Sequence, residues 1–158
     1  MVLGSTLCGK AASDAVRRRY RVLCALADDL QTLRIHMTGM LMPVQCALEK
    51  SGCAVMRRVA EGMRTGCSAA EAWQAVRGGV LRRGGPADAL SAEDLMALDA
   101  LFGQLGQSGR EEQEALLGAS AQAVGRLRDG ALKKAGEADR LYVSLGFLIG
   151  LMLALVVI

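Results

Sequence analysis

The last 18 residues of the chain, LYVSLGFLIGLMLALVVI (141–158), hold no Asp, Glu, Lys or Arg. All 19 basic and all 16 acidic residues fall in 1–140. An apolar run of this length spans about 27 Å as a helix, close to the hydrocarbon thickness of a bilayer. It therefore reads as a transmembrane helix with a polar body ahead of it. Tyr142 stands at the boundary, where an amphipathic ring suits the headgroup level. Lys133, Lys134 and Arg140 precede the segment, so the body is expected on the cytoplasmic side. Within the tail, Gly146 and Gly150 form G-x-x-x-G with Ser144 nearby. Small residues four apart let two helix backbones approach closely in lipid, so these three are candidates for membrane-helix pairing, which would allow a homo-oligomer.

The body is predicted to be all-α. Aromatic residues make up only 3% of the chain and β-branched residues are few, while Ala, Leu, Arg and Glu are abundant. Leu23, Leu26, Leu30, Leu33 and Met37 recur at spacings of three and four, a helix seam that runs from about Ala12 to Met37 and breaks at Thr38-Gly39. Pro43 suits the start of a second helix, reaching to Met63 with an interruption at Ser51-Gly52. Three further starts carry Ser followed three residues later by an acid: Ser68…Glu71, Ser91…Asp94 and Ser108…Glu111. They open helices over 68–82, 91–106 and 108–140, with Gly78 to Pro86 as the loosest linker. Leu117, Ser120, Val124, Leu127, Ala131, Ala135 and Ala138 line the last of these, which can run on into the tail as one rod. The organisation read from the chain is 1–16 as a remnant of an N-terminal membrane helix with a basic flank, 17–140 as a cytoplasmic helical bundle, and 141–158 as the membrane span.

A search for chemistry finds no active site, no metal and no cofactor. Gly4 with Gly9-Lys10 imitates a phosphate-binding loop, but Ala11 stands where Ser or Thr must ligate magnesium, and no strand precedes it. His36 is the single histidine and lies beside the leucine seam. Met37, Met40 and Met42 near it read as core filling rather than a soft-metal site. The five cysteines are odd in number and lack C-x-x-C spacing, as expected for thiols in a reducing compartment, with Cys46 and Cys53 seven apart on one helix face. Asp28-Asp29 and Glu111-Glu112 are neighbours on helices, so they diverge and read as solvated faces. The run Arg17-Arg18-Arg19-Tyr20-Arg21 suits anionic headgroups of a lipid bilayer rather than nucleic acid. A net charge of +3 adds no case for nucleic acid.

Three stretches together resemble the stage III sporulation protein AB family. They are Ser144-Leu145-Gly146-Phe147-Leu148 with Gly150 at the C-terminus, Leu105-Gly106-Gln107-Ser108-Gly109-Arg110 through Gln113, and the Ala72-Trp73 pair. The leucine ladder followed by Pro43 is also similar to that family's first helix and the start of its next. In a register fixed by Pro43, His36, Gly39 and Met42 depart from the family pattern, as does Gly109. The resemblance implies a non-catalytic platform component of the channel between mother cell and forespore, similar in fold to the F-domain proteins of type II secretion and pilus systems. It implies partnership with a cytoplasmic secretion-type ATPase and with other membrane components, at the cell membrane with the body facing the cytoplasm. Arg110, Gln113, Gly106, Trp73 and Pro43 become candidates for fixing the turn before the long helix and for the interface. The rival reading is a tail-anchored helical adaptor of unrelated function.

Overall fold

The computed structural model describes the backbone of residues 2–82 and 84–157 and the side chains of residues 14–82 and 84–136. Among the described residues helix is the only regular secondary structure: α1 (Val2–Arg34), a π-helical turn (Ile35–Gly39), α2 (Val44–Glu49), α3 (Ala54–Met63), α4 (Ala69–Val80), α5 (Ala92–Gln104) and α6 (Arg110–Val157). The all-α expectation holds, and α6 passes the boundary at residue 140 without a break.

Two long helices, α1 and α6, form the spine. They run antiparallel: Arg34 at the end of α1 pairs with Glu114 at the start of α6, whereas Tyr20 and Cys24 face Arg128, four turns further along α6. Leu23, Leu26, Leu30 and Leu33 are all buried, as their spacing predicts. At about 1.5–3 kcal/mol per fully buried leucine, this stripe alone contributes roughly 6–12 kcal/mol. From α6, Leu117, Val124 and Ala131 meet it. The shorter helices complete the bundle, each packed on its successor from α2 to α6. Where α3 and α4 cross, a Cβ on Gly62 would stand 3.1 Å from that of Ala72, so the pair packs backbone to backbone.

Four local details differ from the pattern reading. α1 begins at Val2 rather than near Ala12. The interruption expected at Ser51-Gly52 is a full break between α2 and α3, because Asp29 of α1 reaches across and accepts hydrogen bonds from the N–H groups of Gly52 (3.1 Å) and Cys53 (2.6 Å) and from the Ser51 hydroxyl. These are helix-start donors that α3 cannot satisfy internally. Asp29 is thus a cap supplied from another helix, while Asp28 is exposed as expected. The same break separates Cys46, which is exposed, from Cys53, which is buried, so they do not share a face. Finally, the boxes at Ser68/Glu71 and Ser91/Asp94 form, but Ser108 does not cap with Glu111: α6 starts at Arg110, and Ser108 Oγ accepts from Gln113 instead.

Among the described residues no helix is long and apolar enough to cross a membrane. The segment 141–158, on which the expected span rests, lies outside the residues whose side chains are described. The same holds for Ser144, Gly146, Gly150, Ala138 and the N-terminal remnant assigned to 1–16 as far as residue 13.

Candidate interaction site

Two turns meet at the end of the spine where α1 stops and α6 begins. The turn between α5 and α6 is closed by one side chain. Gln113 is buried; its Oε1 accepts from the Gly106 N–H (2.9 Å), and its Nε2 donates to the Gln104 carbonyl (3.0 Å) and the Ser108 hydroxyl (2.7 Å). Gly106 has φ +79°. A side chain there would be strained by the backbone and would also meet Val44 Cγ2 at 3.0 Å. Val44 opens α2 immediately after Pro43, which is the N-cap residue of that helix. Gly106, Gln113, Pro43 and Val44 therefore fix this turn against the start of α2. Arg110 is exposed on the first turn of α6.

The second turn joins α1 to α2. α1 loosens into π-type geometry over Ile35–Gly39, with Met40 N donating to the Ile35 carbonyl (3.1 Å) and Met42 N to the His36 carbonyl (3.0 Å). Thr38 Oγ1 donates back to the Arg34 carbonyl at 2.8 Å. Leu41 then takes φ +52°, the one positive φ outside glycine among the described residues. Left-handed backbone at a leucine costs about 1–2 kcal/mol. What this strain holds in place is a cap of bare apolar surface: Ile35, Met40 and Leu41 are 58%, 62% and 69% exposed. Beside them His36 Nδ1 is buried without a hydrogen-bond partner. The Arg34–Glu114 bridge (2.7 Å) ties the two turns together, and the Arg34 guanidinium holds the Glu114 carboxyl below the ordinary carboxylate range.

The remaining expected residues lie elsewhere. Trp73 is buried between α4 and α5, stacked on Phe102 with ring centroids 5.0 Å apart, and its indole N–H donates to Asp99 at 2.6 Å. It is a core pin, not a surface contact. The basic run on α1 is partly engaged inside the body: Arg19 grips both oxygens of Asp94 (2.7 and 2.8 Å), and Arg18 lies 3.9 Å from Asp88. Arg19 is thereby withdrawn from any headgroup patch. The described residues contain no group of His, Cys, Asp or Glu side chains placed to hold a metal ion. The apolar cap was not visible to periodicity analysis, because Ile35, Met40 and Leu41 follow no repeat. The available signal was a helix breaker, Gly39, set among large apolar residues.

Compared with known proteins, the chain is matched over residues 1–158 by the family model described as stage III sporulation protein AB. Neither the curated proteins nor the solved structures give a match.

Proposed function

We propose, from the premise that this chain belongs to the stage III sporulation protein AB family and is a sporulation protein, that it works as a non-catalytic platform. In this reading 141–158 lies in the membrane, the bundle faces the cytoplasm, and a cytoplasmic ATPase of the secretion type is coupled to the membrane assembly through the bundle. Other membrane components pair with the tail through Gly146 and Gly150.

The observation that carries this reading is the strained, apolar turn at 35–41. It stands at the end of the spine opposite the charge-free segment. Leu141 stands 27 positions after Glu114 on α6, a rise of about 40 Å at 1.5 Å per residue. A contact surface at that height clears the lipid headgroups and is open to a soluble partner. Burying what Ile35, Met40 and Leu41 leave exposed is worth roughly 3–5 kcal/mol, the scale of a small interface hot spot. Strain held at a bare apolar turn favours recognition over folding as its purpose.

The test is co-purification of the full-length chain with the secretion-type ATPase from detergent, with Met40→Asp and Leu41→Asp as variants. Both variants are expected to stay in the membrane fraction and to lose the ATPase. Retention of the ATPase by both, or loss of the wild-type chain from the membrane fraction, defeats the reading.

A further inference from the structure

A second surface lies on the flank of the bundle. Between α3 and α4 there is a cleft of about 480 Å³, with Gly62, Ala75, Val76 and Gly79 as its floor and Arg58 and Glu61 on its wall. Residues this small let another helix lie close, since interaxial distance follows side-chain size. α3 and α4 run antiparallel, so Arg58 on the wall stands level with the end of α4, where Arg82 follows. The Arg58 guanidinium crosses Gly79, where a Cβ would stand 3.8 Å from it. Arg58 and Arg82 are exposed. Neither has an ion-pair partner among the described residues.

Charge along the chain is segregated in a way that points to an occupant. Residues 44–83 hold seven basic and three acidic residues, whereas 84–122 hold seven acidic and one basic. In the acidic stretch Asp88, Asp94, Asp99 and Glu114 are paired within the chain to Arg18, Arg19, Arg77 and Arg34. Glu111 and Glu112 are not; they sit exposed with Arg110 on the first turn of α6. Ala115 and Ala119 continue that exposed face one and two turns on. This is a helix surface with small residues for a close approach and carboxylates for an arginine rim. Arg110 supplies the one positive charge that Glu61 in the cleft calls for.

We propose that the α3–α4 cleft of one copy receives the exposed face of α6, Arg110–Ala119, from a second copy of this chain. Glu112 meets Arg58, Arg110 meets Glu61, and Ala115 and Ala119 lie over Ala75 and Gly79. The two surfaces differ, so the contact is head-to-tail and builds a ring or an open row of bundles rather than a closed pair. This assembly is separate from tail pairing and from the turn at 35–41, and it does not depend on the platform reading.

The experiment uses two differently tagged full-length chains, co-expressed and extracted together in mild detergent, with recovery of the second copy on the first as readout. Arg58→Glu in both copies, or Glu112→Arg in both, is expected to lower recovery about tenfold, because a like charge then faces its former partner. An Arg58→Glu chain combined with a Glu112→Arg chain is expected to recover the contact, since both junctions between unlike chains pair opposite charges while each variant still repels its own kind. Ala75→Leu, at an exposed position, fills the cleft without changing charge and is expected to reduce recovery with the helical circular dichroism unchanged. Raising NaCl from about 50 mM to about 500 mM is expected to weaken the wild-type contact as screening shortens. Recovery that is indifferent to Arg58→Glu, as it would be if the tail alone held copies together, overturns the proposal. So does failure to recover any wild-type second copy at low salt, as it would if a different protein filled the cleft.

Discussion

Replacing Asp94 with alanine removes the best-buried ion pair among the described residues. Arg19 Nε and Nη2 reach the two carboxylate oxygens at 2.7 and 2.8 Å, and the side chains are 1% exposed at Asp94 and 15% at Arg19. The same carboxylate accepts from Ser91 N at 2.8 Å, so the variant also loses the carboxylate half of the capping box of α5, while the bond from the residue 94 N–H to Ser91 Oγ remains. Stranding one member of a buried pair costs about 3–5 kcal/mol. Arg19 keeps an opening to water, which places the loss at the low end, and the cap adds about 1 kcal/mol. The expected destabilisation is therefore about 3–4 kcal/mol, a large part of the roughly 5–15 kcal/mol that keeps a domain folded.

Urea unfolding of the full-length chain in mild detergent, followed by fluorescence of Trp73, the single tryptophan, measures it directly. Combined with Arg19→Met and the double variant, the cycle is expected to give a coupling of about 2 kcal/mol. A pH series supplies the sign. Burial works against the charged form of Asp94, but the Arg19 hydrogen bond and those of Ser91 outweigh it and hold the carboxyl below its ordinary value of 3.8. A depressed carboxylate contributes stability in full above its unfolded pKa and loses it as pH falls through the lower folded value. The wild type is thus expected to weaken below about pH 4, where Asp94→Ala has less left to lose. A cost under about 1 kcal/mol with no coupling would mean the pair behaves like an exposed one, and the reasoning fails.

Three more outcomes can be checked by the same unfolding assay, the last of them together with ATPase capture. Gly106→Ala meets both a positive φ and Val44 at 3.0 Å, so a loss of about 1–3 kcal/mol is expected, and a neutral result would show that the turn yields easily. Asp29→Ala releases three donors at the start of α3 and is expected to cost about 1–3 kcal/mol, while Asp28→Ala, on the exposed side, changes stability by less than about 0.5 kcal/mol. Leu41→Gly relieves left-handed strain and is expected to leave stability unchanged or raised by up to about 1 kcal/mol, yet to weaken ATPase capture; parallel changes in both would separate the strain from recognition.

The spine of the fold was legible because its signals are periodic. The leucine stripe of α1 and the mixed stripe of α6 follow one helical period over many turns, and burial rewards that period directly. Ser68 and Ser91 were legible as caps because the partner lies three residues away. Ser108 shares that spacing and still fails, because Gln113, five residues on, reaches the same hydroxyl and two backbone groups together. Asp29 reads as solvated in the sequence because its partners lie more than 20 residues downstream, where no local pattern leads. The site divides the same way. Gly106 and Gln113 stood out through the family resemblance, whereas the bare turn at Ile35, Met40 and Leu41 arises from backbone geometry that leucine and methionine do not announce.

Because α6 is a single helix from the foot of the bundle to the polar end, it has no hinge at which motion could be absorbed. A change of about 10° in the inclination of its lower part would carry the other extremity sideways by about 7 Å over a 40 Å arm. That is more than a full turn of helix rise. In the proposed platform arrangement, small reorientations of the tail within the lipid and large displacements of whatever sits on the crown are then one and the same movement, read at two ends of a lever.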